Sequence, residues 1–242
     1  MKRNFLNMAV AAVVALMVLN SCEKKSEGLT FITYYPTVEL KGDDVVVVNK
    51  GDSYVEPGYV SMLNGEDVTS GVEIISNLDT ETSGVYSIVY NSITNEDGFS
   101  SSASRKVIVL DLNDPIEGIY AVDSEVSFRD YDGTNAAFKG DFEILLISNG
   151  DGTYEISDLF GGWYDQGQGY GSEYACTATM EIDGANVSVD PASTMVEGSG
   201  WPNNIDDFHD ASYSSATGTL VYQVDYYEIM TFHVTLVKQS IE

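Results

Sequence analysis

The residues best suited to chemistry lie in one phrase, Phe160-Gly161-Gly162-Trp163-Tyr164-Asp165-Gln166-Gly167-Gln168-Gly169-Tyr170-Gly171-Ser172-Glu173-Tyr174, with five glycines and five aromatics in fifteen residues. Glycine admits positive φ and lets a backbone approach a ligand closely, while Trp and Tyr offer flat apolar faces with a polar edge. That combination suits a sugar, whose axial C–H groups rest on an aromatic face while carboxylates and amides serve its hydroxyls. Trp163, Tyr164 and Tyr170 are therefore expected as stacking platforms, with Asp165 and Gln168 as hydroxyl partners. Trp201 is a further platform, carried by Gly198-Ser199-Gly200-Trp201-Pro202-Asn203-Asn204 in the longest candidate loop, residues 191–215, where it would close over the glycine-aromatic phrase. A competing reading makes Trp163 and Tyr170 plugs of a barrel end, with the glycines only turning corners.

Other chemistries find less support. The sequence has no G-x-S-x-G elbow, no phosphate-cradling glycine loop and no H-E-x-x-H pair, so no catalytic residue is assigned and the protein is read as non-enzymatic. A glycosidase would need two carboxyls about 5–9.5 Å apart, a separation that sequence does not give. No metal or cofactor is expected. Asp130-Tyr131-Asp132-Gly133-Thr134-Asn135 and Asn149-Gly150-Asp151-Gly152-Thr153 lack the glycine and glutamate spacing of a helix-loop-helix calcium site and read as hairpin turns. Asp206, Asp207 and Asp210 are a weaker calcium candidate, and His209 and His233 are the only histidines. Cys176 alternates with Tyr174, Ala178, Met180 and Ile182, which reads as a small core residue of a strand.

These residues must be positioned by strands. Apolar positions alternate in short segments such as Val85–Tyr90 and Met230–Leu236, rich in β-branched and aromatic residues and separated by Gly, Asn, Asp and Ser. The fold class is all-β. Asp111-Leu112-Asn113-Asp114-Pro115 marks a boundary, because Pro115 forbids ladder pairing. Residues 34–111 hold about seven strand candidates, as an antiparallel sandwich does, and residues 116–242 about eight, a meander long enough to close. The second domain is expected to be an antiparallel β-barrel, lipocalin-like, or a sandwich.

Two resemblances refine this picture. Val45 to Val48, Gly51-Asp52-Ser53-Tyr54-Val55-Glu56-Pro57-Gly58-Tyr59, Gly65-Glu66-Asp67-Val68, Leu78-Asp79-Thr80, Gly84 to Tyr90, Asp97-Gly98 and Arg105 to Val109 follow one another as in the bacterial surface-protein immunoglobulin-like domain, which this segment resembles. Glu56 stands where that family usually has Asp, which puts turn-capping by this side chain in question. Glu117-Gly118-Ile119-Tyr120, the glycine-aromatic phrase, Gly218 to Tyr222 and Phe232 to Leu236 resemble the C-terminal domain that follows this Ig-like domain in surface lipoproteins of gut Bacteroidota. The resemblance implies an accessory component of a polysaccharide-uptake system.

The N-terminus fixes the address. Lys2 and Arg3 precede an apolar run from Met8 to Leu19, 12 residues long. That is too short to span ~30 Å of hydrocarbon as a stable helix, and residues 1–21 read as a secretion signal. Leu19-Asn20-Ser21-Cys22 resembles a bacterial lipoprotein box, which implies lipidation of Cys22, a tether over residues 22–33 and an outer-membrane anchor, at the cell surface or on the periplasmic face. With Cys22 acylated, Cys176 has no partner for a disulfide. The chain carries 11 basic against 38 acidic side chains, a net charge of −27, so nucleic acid and anionic headgroups are repelled. The partners expected are a glycan and an outer-membrane transporter or neighbouring lipoprotein, and the alternative function is a structural lipoprotein packed on such a partner with no carbohydrate site.

Overall fold

A computed structural model describes residues 32–198 and 200–241. The signal segment, Cys22 and most of the tether lie outside the described residues. Seven strands come first: β1 (Thr37–Leu40), β2 (Val45–Asn49), β3 (Tyr59–Leu63), β4 (Glu66–Asp67), β5 (Glu73–Ser76), β6 (Gly84–Asn91) and β7 (Ser102–Leu110). They form two sheets, β1-β3-β4 and β2-β7-β6-β5, with β2 parallel to β7 and the other pairs antiparallel. Val48, Ile88, Tyr90, Val107 and Val109 form the buried core, with Val38, Leu40, Tyr54 and Tyr59 packed against it.

A charged hub closes this sandwich. Arg105 on β7 is fully buried, its Nη2 3.2 Å from Glu56 Oε1, 2.9 Å from the Lys41 carbonyl and 3.3 Å from that of Gly58, while Nη1 donates to the Asp43 carbonyl. Glu56 also accepts from the hydroxyl of Tyr54 at 2.7 Å, from that of Tyr90, and from the Gly58 N–H at 2.8 Å. Its longer side chain therefore does cap the Pro57-Gly58 turn, where Gly58 takes φ +107°. Burial works against the carboxylate, but the Tyr90, Tyr54 and Gly58 bonds and the Arg105 charge together hold it below the ordinary range.

Asp111–Glu117 connects this unit to the next and is pinned to both. Asn49 Oδ1 accepts from the Leu112 N–H at 3.1 Å on one side. On the other, Tyr154 donates to the Asp114 carboxylate at 3.2 Å, Lys238 Nζ to the Asp114 carbonyl at 2.9 Å and Tyr213 to the Pro115 carbonyl at 2.9 Å.

The remaining strands are β8 (Gly118–Val122), β9 (Phe128–Tyr131), β10 (Thr134–Ala137), β11 (Glu143–Ser148), β12 (Thr153–Ile156), β13 (Cys176–Asp183), β14 (Asn186–Val189), β15 (Met195–Val196), β16 (Asp207–Ser214), β17 (Thr219–Tyr226) and β18 (Met230–Lys238). Eight of them form an antiparallel barrel in the order β8-β11-β12-β13-β14-β16-β17-β18, closed by β18 pairing with β8. The β9-β10 hairpin continues the sheet from one end of β18, and β15 adds to β13. Asp132-Gly133 and the 149–153 segment are hairpin turns, as their glycine content requires. Strict alternation sends Phe232, Val234 and Leu236 of β18 inward with Tyr120, Ile144, Cys176, Met180, Leu220 and Tyr222, all at most 1% exposed, so the interior is filled by side chains.

The sandwich hub sets an acid limit. A carboxyl held below its unfolded value stabilises fully above that value, and the contribution is lost as pH falls through the lower, folded one. Denaturant titrations should therefore show the sandwich weakening as pH drops below about 4.5. Glu56→Gln, which leaves Arg105 without its carboxylate, should cost about 1–3 kcal/mol at neutral pH and flatten that acid dependence.

Candidate functional site

The glycine-aromatic phrase spans one end of the barrel, held there by a single buried side chain. Asp158, 2% exposed, accepts from the N–H groups of Phe160 and Cys176, each at 2.8 Å to Oδ1, and of Gly162 at 2.9 Å to Oδ2. Burial pushes its carboxyl up to about 7, against the pull of the three N–H donors. Gly161 and Gly162 both take positive φ, +62° and +75°, and a Cβ on Gly162 would sit 2.7 Å from Phe142 Cβ. Only glycine fits there. The chain then makes one π-helical turn, Trp163–Gly167, with Gly167 and Gln168 donating to the Gly162 and Trp163 carbonyls.

This turn drives Phe160, Trp163 and Tyr164 into the barrel end. Phe160 stacks on Phe232 at 4.7 Å, and Trp163 meets Phe138 edge-on at 5.0 Å. Trp163 is 6% exposed, so the stacking platform expected there is corrected to a core plug, the competing reading of the phrase. The physical reason is the paired left-handed glycines, which turn the chain inward before the indole. Asp165 and Gln168 do not line the cleft described next, and Tyr170, half exposed, stacks on Tyr164 at 6.1 Å beside it.

Residues 200–206 do lie against the phrase. The Trp201 ring stands 4.5 Å edge-on from Tyr164, 4.8 Å from Tyr174 and 6.2 Å from Tyr170. Backbone bonds pin the loop: the Val196 N–H donates to the Asn203 carbonyl at 2.7 Å, and the Tyr226 hydroxyl to the Pro202 carbonyl at 2.7 Å. Between loop, plug and the β17-β18 hairpin opens a cleft of about 290 Å³, walled by Tyr131, Tyr164, Trp201, Tyr226, Tyr227 and Met230, with Arg129 at its base. The hairpin holds Tyr227 and Glu228 both at φ 59°, a left-handed conformation that costs bulky residues about 1–2 kcal/mol each. That strain turns Tyr227 and Ile229 to the cleft.

Of the six residues expected to bind ligand, Tyr164 and Trp201 line this cleft. Arg129, Tyr131, Tyr226 and Tyr227 were not anticipated. The signal for Arg129 was its rarity, one of 11 basic residues in the chain, and for Tyr227 its position between two strand segments.

On the outer face, register aligns Asp207, Asp225, Thr231 and Asp130 in one row and His209, Gln223, His233 and Phe128 in the next. Asp207, His209 and Asp225 offer ligand atoms within 4.8 Å of one another, a different trio from the carboxylates weighed on sequence. The imidazole already bridges carboxylates, Nδ1 lying 3.2 Å from Asp210 and Nε2 3.4 Å from Asp225. Burial opposes its charge, but both carboxylates raise its proton affinity above the ordinary value of 6.5, whereas burial pulls His233, stacked on Phe128 at 4.0 Å, below it. His233 sits on the outer face, and Cys176 is fully buried, its thiol pushed up by burial.

Comparison with known proteins adds the following. Residues 38–109 match the family described as bacterial surface protein, Ig-like domain, and residues 110–238 match a family described as a C-terminal domain. The crystal structure of the lipoprotein BT2262 from Bacteroides thetaiotaomicron is similar over 85% of this chain and 100% of that one, with 36% identity and a TM-score of 0.72. The M60 catalytic domain with two CBM51 domains of Clostridium perfringens ZmpB aligns at 14% identity and a TM-score of 0.28, over 87% of this chain and 24% of that one, which carries no argument. No curated protein matches. Among the described residues no helix is long and apolar enough to cross a membrane.

Asp158→Asn would set an amide N–H against one of the three donors, and should cost about 1–3 kcal/mol in thermal or chemical unfolding. With only two histidines in the chain, an NMR titration should resolve one imidazole titrating above 6.5, His209, and one below it, His233. His209→Gln should remove the upper curve.

Proposed function

Because the chain belongs to the same family as the Bacteroides thetaiotaomicron lipoprotein BT2262, we propose that it is a non-catalytic lipoprotein anchored through Cys22 in the outer membrane, whose C-terminal barrel binds a glycan. The observation that carries the binding half is the aromatic cleft at the barrel mouth, where Trp201, Tyr131 and Tyr227 keep solvent-accessible ring surface around an open space backed by the buried Tyr164 and Tyr226. Flat rings with polar edges match the alternating apolar and hydroxylated surfaces of sugars, and a concave site with few polar groups is the ordinary form of a small-molecule pocket. The Ig-like sandwich, joined to the barrel through a connector hydrogen-bonded at both ends, acts as a spacer between lipid and cleft. On this reading the protein is an accessory component of a polysaccharide-uptake system.

A second reading draws on the sandwich. Ile74, Ile75 and Val85 are exposed, the first two on the edge strand β5, and a protein that packs on an outer-membrane transporter or neighbouring lipoprotein would cover them.

Affinity electrophoresis and a glycan array test the first reading. Trp201→Ala should weaken retention by about tenfold, the value of one aromatic stacking contact, with the melting temperature close to that of the parent. Trp163→Ala should instead cost about 3–5 kcal/mol of stability, as loss of a buried indole does. Retention unchanged by Trp201→Ala, or no glycan retained by the parent, would remove the cleft from function and favour the second reading.

A further inference from the structure

Arg129 is a cation without an anion. Among the described residues the ion pairs are Arg105 with Glu56 and His209 with Asp210 and Asp225, and no carboxylate lies within reach of the Arg129 guanidinium. The five described lysines make no ion pair either, but four are exposed and Lys238 donates to the Asp114 carbonyl, so Arg129 stands apart as a part-buried cation whose bond is to a neutral hydroxyl. Strand alternation explains how the separation is kept: Asp130, next in sequence, belongs to the outer face with Thr231 and Asp225, while Arg129 pairs with Phe232 and turns to the barrel mouth.

The guanidinium is also seated. Its Cζ lies 4.8 Å from the Trp163 ring centroid and 5.4 Å from that of Tyr131, so two aromatic rings fix its position. Of its five N–H donors, Nη1 makes a long bond of 3.4 Å to the Tyr164 hydroxyl, and Nε is buried with no partner. A part-buried charge with unspent donors is costly to leave unpaired, and a planar fork is the geometry that receives an oxyanion through two parallel bonds.

Resting on the glycan reading above, we propose that the sugar held in this cleft bears one anionic substituent, a carboxylate or a sulfate, received by Arg129. The anion is single because the adjoining groove, which shares Ile229 and Met230 with the cleft, is lined by Asp132, Asp206, Asp225 and Glu228. A second negative charge on the ligand would meet those carboxylates, so the rest of the glycan is neutral. Trp163 thereby gains a role despite its burial, as the seat of the cation.

The test uses the full-length protein in detergent and calorimetric titration with matched oligosaccharides on several backbones: a neutral form, the same form with one terminal uronate, the same with one sulfate, and an all-uronate form. An acidic peptide of similar length is the control. One of the singly charged forms should bind about tenfold to hundredfold tighter than its neutral match, the worth of a charge-assisted pair. This ratio should shrink with added salt, fall close to one in Arg129→Gln and partly recover in Arg129→Lys. Whichever charged form gains names the anion. The salt dependence, measured on the unaltered protein, holds even if a variant at Arg129 folds poorly. Equal binding of charged and neutral forms would overturn the inference and leave the glycan reading standing. Tighter binding of the all-uronate form would overturn the single-charge claim. Binding of the acidic peptide alone, or of no oligosaccharide, would overturn both.

Discussion

One buried carboxylate governs the aromatic end of the barrel. Asp158 gathers three backbone N–H groups that a strand ladder would otherwise have used, and by doing so it stops the sheet and starts the inward turn. Without that turn Phe160, Trp163 and Tyr164 would not lie across the barrel end, Trp201 would lose the Tyr164 ring it abuts, and Arg129 would have no indole against it. The cleft follows from a polar group kept in an apolar place. Such a group is tolerated only while its partners are all present, which makes the turn rigid as well as costly.

The two halves of the chain use charge in opposite ways. In the sandwich a guanidinium is fully enclosed and its carboxylate partner is supplied from within, although Arg105 Nε, like Arg129 Nε, finds no hydrogen-bond partner. At the barrel mouth the guanidinium is only partly enclosed and no partner is supplied. Among the described residues, the same residue type thus meets an internal carboxylate in one unit and none in the other. Barrel interior volume plays no part, since Tyr120, Tyr222, Phe160 and Phe232 fill it.

The architecture was readable from sequence because its determinants are local. Alternation in β18, the Asp132-Gly133 hairpin, the small inward Cys176 and the break at Pro115 each depend on neighbours within a few residues. The site was readable only in part, because it is assembled from segments far apart. Trp201 and Tyr164 were visible as unusual aromatics, but their contact depends on a loop pinned by Asn203 and Pro202. Trp163 and Tyr164 both read as exposed platforms until the φ angles of Gly161 and Gly162 turned both rings inward, each to 6% exposure. Arg129 escaped notice because its rarity among the basic residues says nothing of its seat, and the Trp163 and Tyr131 rings that hold it come together only in the fold.

Barrel closure carries a consequence for the order of events. β8 is the first strand of the ring and β18 the last, and they pair across the whole length of the second unit, at Tyr120 with Lys238 and Val122 with Leu236. The sandwich is complete once Leu110 has emerged, whereas no closed barrel exists until the final strand has followed. A chain threaded N-terminus first therefore presents a finished sandwich while its distal half is still an open sheet with two bare edges. A net charge of −27 sets such chains in mutual repulsion during that interval.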